Sequence, residues 1–207
     1  MPQRTNRRDL LADAATEVLA REGGRGLTHR AVDREAKVPE GTTKNYFRNR
    51  SSLFVAVARR MSDQHIAAVG ELRDQVPENV TREHIVALYA TMLERMASNA
   101  RTQFLAMFEL YLEGVRRPEV REALGEMTMA NADLAVHLHG AVGVPVDNRT
   151  GGLLDAGVLG AVMSMLSLPD HVVQSIGFDD PEALSRALLS AAVTGRTNGG
   201  VRRGFAS

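Results

Sequence analysis

The chain has no cysteine, which excludes a disulfide framework and a thiolate nucleophile. It has no net charge, with 25 Lys and Arg against 25 Asp and Glu. That argues against an indiscriminate nucleic-acid coat, because such proteins carry a large positive excess. Lysine is nearly absent, at Lys37 and Lys44 only, and the arginine in its place carries no functional weight. The longest apolar stretch, Leu153 to Leu168, is interrupted by Asp155, Ser164 and Ser167 and is shorter than the ~18 residues of a membrane span. Arg4, Arg7 and Arg8 followed by Asp9 make the N-terminus too polar for a secretory signal. A cytoplasmic protein is expected. There is no Gly-x-Ser-x-Gly elbow, no phosphate-loop pattern and no His-Glu-x-x-His, so no catalytic residue and no cofactor is assigned. His137 and His139 stand two apart on a helical pattern, on roughly opposite faces, and cannot hold one metal ion. Asp133 and His137, four apart, are expected to share a hydrogen bond.

What is present is helical periodicity. A content of 44% hydrophobic residues in 207 permits a full core, and no alternating strand pattern of useful length occurs. The fold is predicted all-α. A first helix runs from Asn6 to about Glu22 on Leu10, Leu11, Ala14, Ala15, Val18 and Leu19. Thr28 is a good N-cap for the next, with Leu27 before it and Val32 within it at the spacing of a hydrophobic staple. Ala31, Val32 and Ala36 form its buried stripe. Pro39 ends that helix, the turn lies at about residues 37 to 39, and Pro39 is expected in the opening turn of the second helix. From Glu40 to Tyr46 the pattern exposes Thr42, Lys44, Asn45 and Tyr46, while Phe47 and Leu53 anchor the chain to the core. Two short helices around a tight turn, with hydrogen-bonding side chains on the second, form a helix-turn-helix DNA reader.

Charge placement supports that reading. Residues 1 to 50 hold 11 Lys and Arg against 7 Asp and Glu, whereas residues 51 to 207 hold 14 against 18. The neutral total conceals a basic end. Arg4, Arg7 and Arg8 crowd a helix N-terminus, where cations oppose the helix dipole; a phosphate partner would account for them.

Beyond residue 54 a long helix runs from about Arg50 through Arg73, and Thr81 caps another that carries Ile85, Leu88, Tyr89, Met92, Leu93 and Met96. Helices from Thr102 to Gly114 and from Pro118 to about Gly143 follow, then a loop over 140 to 148. Met92, Met96, Phe104, Met107, Phe108, Tyr111 and Met127 are candidates to line a pocket for a hydrophobic effector, although such a stripe also suits plain core. Leu153 to Leu168 is apolar on nearly every side, and Asp180 with Pro181 opens a last helix ending near Gly195. These two helices would leave apolar surface bare unless a second copy covers it, so a homodimer is expected through Leu153, Gly157, Gly160, Ala161, Leu184, Leu188 and Ala191. The expected organisation is a head over 1–50, an effector-binding and dimerisation domain over 51–195, and a mobile tail over 196–207.

The stretch Gly41-Thr42-Thr43-Lys44-Asn45-Tyr46-Phe47, followed by Asn49-Arg50-Ser51-Ser52-Leu53, resembles the DNA-binding domain of TetR-type transcriptional repressors. Thr43 and Lys44 stand where many members carry Leu and Tyr. The resemblance implies phosphate contacts from Thr28, Tyr46 and Arg50, and base approach by Arg30, Gly41, Thr42, Lys44 and Asn45; Thr43 is placed with them, and Arg4 and Arg7 join as phosphate partners. Glu40 either accepts from a cytosine amine or favours the helix N-terminus. The implied partners are double-stranded DNA carrying an inverted repeat, a second copy of the chain, and a small-molecule effector. A regulator of the same shape without an inducer, and an all-α enzyme or carrier, are the alternatives.

Overall fold

Capping side chains mark where the helices begin. Asn6 accepts from Arg8 N at 3.3 Å, Thr28 from Ala31 N at 3.2 Å and Asp147 from Thr150 N at 3.0 Å, each satisfying a backbone donor that the helix leaves unpaired. Thr81 and His84 cap each other's backbone N–H groups at 3.3 and 3.2 Å. The computed structural model describes residues 6–77, 79–98 and 100–194, so Arg4 and the tail over 196–207 lie outside the described residues. Among those described there are ten helices and no strand. They are α1 (Arg7–Gly26), α2 (His29–Glu35), α3 (Thr42–Tyr46), α4 (Arg50–Asp74), α5 (Arg82–Ala97), α6 (Arg101–Gly114), α7 (Pro118–Ala141), α8 (Asn148–Ser167), α9 (Asp170–Ser175) and α10 (Pro181–Thr194).

The all-α architecture agrees with the periodicity, and three local details differ. Pro39 does not open α3; it precedes it, and its carbonyl accepts from the Thr42 N–H at 3.1 Å and hydroxyl at 2.6 Å. The helix α8 starts at Asn148, earlier than the apolar run, because Asp147 caps it. The short α9 was not anticipated, since Pro169 and Gly177 bracket too few residues for a period to show.

The described residues fall into two compact units, one within residues 1–68 and 99–127 and the other within 69–98 and 128–207. The core of the first is built on Leu11, Val18, Leu19, Leu27, Val32, Phe47, Leu53 and Phe54, all at most 1% exposed, together with Ala106 and Leu110 of α6 and Val120 of α7. The second buries Ile85 and Leu93 of α5, Leu138 of α7, Leu154 and Val162 of α8, and Leu189 of α10. With a mean hydropathy of 1.3 over an 18-residue window, α8 is long and apolar enough to cross a membrane. Its buried residues pack in this second core, however, and its Asp155 accepts from Asn131 at 2.7 Å.

Candidate nucleic-acid interface

A five-residue helix cannot hold itself in water, so α3 needs anchors. The main one is Asp33 of α2, only 3% exposed. One carboxylate oxygen accepts from Gly41 N at 2.7 Å; the other accepts from Thr43 N at 2.7 Å and from Thr43 Oγ1 at 2.5 Å. Burial alone would raise the Asp33 carboxyl, but these hydrogen bonds from Thr43 and Gly41 outweigh it and hold the group below its ordinary value. Gly41 caps α3 with φ 91°, a left-handed conformation that costs an L-residue roughly 1–2 kcal/mol. No atom lies within 4 Å of where its Cβ would stand, so backbone conformation is a sufficient reason for glycine there. From α2, His29 Nε2 donates to Phe47 O at the end of α3, at 2.7 Å.

This clamping fixes which side chains face outward. Lys44, Asn45 and Tyr46 are exposed, as are Thr28, Arg30 and Gly41, and Thr42 is half-buried. Thr43, expected among the DNA-contacting residues, is fully buried. It belongs to the Asp33 anchor, and a side chain at 0% exposure cannot meet a groove. The Thr28 hydroxyl accepts in the α2 cap and keeps its own proton to donate. Arg30 pairs with Glu40 at 2.6 Å, a role for Glu40 that neither sequence alternative named. Arg7 is exposed, and Arg8 lies over the Phe47 ring at 5.0 Å.

Behind the reading face, the end of α1 is tied to α4 and α6. Gly23 breaks α1 with φ 67°, and the next N–H, from Gly24, donates to Glu109 of α6 at 2.9 Å. Arg50, expected on phosphate, donates to Leu27 O at 3.1 Å and to Gly24 O. Two guanidinium groups lie over the Phe54 ring, Arg50 at 5.2 Å and Arg117 at 4.9 Å from its centroid. Arg117 in turn pairs with Glu113 at 2.6 Å and donates to Ser51 at 2.7 Å. At the start of α4, the Asn49 N–H donates to Ser52 Oγ at 3.1 Å and the Ser52 N–H donates to Asn49 Oδ1 at 2.9 Å, so each side chain caps the other's backbone.

Sequence reasoning missed Asp33, His29 and Glu109. For Asp33 a signal was present: a carboxylate directly beside Ala31 and Val32 in a buried stripe requires hydrogen-bonding partners. Glu109 gave none, because its partner is a backbone N–H 85 residues away.

The remaining expectations divide. Met107, Tyr111 and Met127 pack with the core of the first unit, and Phe104 stands 6.4 Å from Phe108. A cavity of about 400 Å³ in the second unit is lined by none of the seven anticipated effector contacts. Of the anticipated dimer contacts, Ala161 and Leu184 are buried inside the second unit, at 3% and 7% exposed, and so cannot reach a partner. A Cβ on Gly157 would stand 2.9 Å from Leu188, which places these two where α8 meets α10. Leu153, Gly160 and Ala191 do face outward. Asp133 accepts from Asn148 at 2.9 Å rather than pairing with His137, and no cluster of metal-ligating side chains occurs among the described residues.

The family described as tetracyclin repressor-like, C-terminal domain, matches residues 80–195. No curated protein matches the sequence. Among solved structures, the multidrug binding protein EbrR complexed with ethidium is 26% identical, with a TM-score of 0.67 over 92% of this chain and 99% of that one. A TetR-family member from Streptomyces coelicolor A3 is also 26% identical, with a TM-score of 0.66 over 90% and 98%. A transcriptional regulator from Rhodococcus sp. Rha1 shares the fold at 20% identity, with a TM-score of 0.70 over 92% and 97%.

Proposed function

This chain belongs to the tetracyclin repressor-like (TetR) family of transcriptional regulators, and from that we propose that it is a homodimeric repressor that binds an inverted-repeat operator and is released by a small hydrophobic ligand. The observation that carries the reading is the α3 anchor: Asp33 holds Gly41 and Thr43 from behind and leaves Lys44, Asn45 and Tyr46 facing out. Lysine can donate to guanine O6 and N7, and asparagine can pair with the adenine edge. Thr28 and Arg7 flank them as donors to phosphate, and phosphate contacts set position without reading sequence; Arg30 stands beside them where a base is approached. Regulation of transcription from DNA goes with a cytoplasmic address and assigns the chain no reaction.

The dimer is supported by an outward apolar stripe. Leu153 is 65% exposed and Met163 48%; Ala156 and Gly160 lie between them at steps of three and four residues, and Ala183, Ala187 and Ala191 are exposed on α10. Four helices, two from each copy, would cover both stripes. A two-fold then presents two α3 helices to half-sites about one helical turn apart, or a multiple of it. Replacing Leu153 and Met163 together by Asp should leave a monomer in sedimentation and abolish tight operator binding. For the effector, EbrR carries ethidium, an apolar planar cation, and the half-buried Phe104, Met107, Phe108 and Tyr111 of α6 supply the matching surface.

The deciding experiment is fluorescence anisotropy with DNA flanking the protein's own gene, against unrelated competitor and across a salt series. Preference for an inverted repeat at physiological salt supports the reading; equal binding to all fragments of the genome sinks it. Ethidium at 100 times its dissociation constant should stabilise the protein by about 2.7 kcal/mol. No gain with any apolar ligand would leave a regulator of the same shape without an inducer.

A further inference from the structure

The second unit holds a cavity of about 400 Å³, formed by the first turn of α5, the last turn of α7, the loop after it and one face of α10. Its volume is within the ~300–1,000 Å³ of small-molecule sites. Ile85, Val142, Val144 and Leu189 give it apolar walls, and Arg82, Arg186 and His139 outnumber Glu83 among its titratable groups. His139 is 5% exposed, and its Nε2 has no hydrogen-bond partner. A buried ring nitrogen without a partner has lost its hydration and gained no hydrogen bond in exchange. Burial first, and then the positive charge of Arg82, hold the His139 imidazole below its usual value, so the ring is neutral at pH 7.

The remaining charges decide what a ligand must be. Arg186 is engaged by Glu182 at 2.7 Å, and Glu83 also lines the cavity. No ion pair of Arg82 occurs among the described residues, and Arg82 is the first residue of a 16-residue helix whose dipole favours an anion at that end. A cation would meet two guanidinium groups, and a wholly apolar guest would leave Nε2 unpaired. We infer that this cavity is a binding site for a small anionic amphiphile, a carboxylate with a short apolar tail, whose head group is held by Arg82 and His139 and whose tail lies against Ile85, Val142, Val144 and Leu189. This site is separate from the α6 surface proposed for the effector, and it takes the opposite charge. It does not depend on the operator reading.

The test uses the full-length protein without DNA and three probes of equal tail length: octanoate, octanol and octylammonium. Calorimetry should give binding for octanoate, at least tenfold weaker binding for octanol and none for octylammonium. Because Arg82 is exposed, Arg82→Gln leaves the fold intact and should weaken octanoate at least tenfold while leaving octanol unchanged. His139→Asn should also weaken octanoate; should it fail to fold, the His139 ring resonance in the wild-type protein carries the test, since a bound carboxylate must shift its titration upward. Equal affinity for octanoate and octanol, no effect of Arg82→Gln, an unmoved His139 titration, or no octanoate binding at millimolar concentration would each overturn the proposal.

Discussion

The helices α3 and α8 both present an outward face, and they are held in opposite ways. The five residues of α3 bury one side chain, Thr43, and owe their orientation to a carboxylate on the neighbouring helix. The twenty residues of α8 bury Leu154, Val158, Ala161 and Val162 and orient themselves by apolar area, at roughly 25 cal/mol per Å². A short helix is aimed by a few polar contacts, each of which can be lost singly. A long one is aimed by a stripe that no single loss reverses. The DNA-reading face should therefore be fragile where the α8 face is robust.

The largest effect expected is from Asp33→Ala. It removes the acceptor of three donors at once, two of them the buried N–H and hydroxyl of Thr43, and at about 1–3 kcal/mol for each buried donor left unpaired the loss should be at least about 2 kcal/mol in urea denaturation followed by circular dichroism. Operator preference should vanish with it. The matching change in the second unit is Gly151→Ala, whose Cβ would stand 2.7 Å from Ala132 O and 2.8 Å from Ala132 Cα. Backbone cannot yield cheaply, so overpacking of about 1–3 kcal/mol follows, yet operator preference in anisotropy should survive. If the two variants lose preference alike, the contrast between a polar anchor and an apolar stripe is wrong.

Opposite ends of the pH scale should separate the units too. The Asp33 carboxyl sits below its ordinary 3.8, so its contribution is present above the unfolded value and is lost as pH falls through the folded one, below about pH 4. Asp33→Asn should remove that acid component. In the second unit, burial first and then the charge of Asp155 push the Tyr89 hydroxyl up to about 12. Its contribution is present below pH 10 and is lost as pH rises towards 12, at up to roughly 1.4 kcal/mol per pH unit. Tyr89→Phe should flatten the alkaline limb of a denaturation series and leave the acid limb alone.

The same contrast explains what the sequence made legible. Helices with a stripe announced themselves, because Ile85, Leu93, Leu154 and Val162 recur at the helical period, and caps such as Thr28, Thr81 and Asp180 marked their starts. The reading helix was legible through Gly41 and Phe47 rather than through any period. Illegible were the contacts that join distant segments: Glu109 to Gly24, Arg117 to Ser51, and the packing of α6 with α1 in one unit. No local rule encodes a partner 66 or 85 residues away. Thr43 misled for a related reason, since its hydroxyl suits a groove as well as a buried carboxylate, and only the position of Asp33 decides between them.

Substitutions on the outward face of α3 should change reading without changing stability. Lys44→Ala and Asn45→Ala are expected to lower discrimination by about 1–3 kcal/mol wherever they meet a base, with urea midpoints unmoved because both side chains are exposed. A uniform loss across all sequences would instead make that residue a phosphate contact.

The smallest effect is the most discriminating. Arg30 and Glu40 pair at 2.6 Å with side chains 84% and 68% exposed, a class of ion pair worth at most about 1 kcal/mol. Breaking it with Glu40→Gln should leave stability unchanged while releasing a guanidinium beside the reading helix and removing one negative charge from it. If Arg30 then meets phosphate, affinity rises less than tenfold for every sequence alike, and the salt dependence steepens by about one ion. If Arg30 meets a guanine, the gain is confined to operators that carry that base. Glu40 itself would declare a reading role by a third pattern, in which the variant loses preference at a single cytosine. Each pattern assigns the edge of the interface to a different partner, and each leaves the Asp33 anchor untouched, so aim and reading can be varied independently on a helix of five residues.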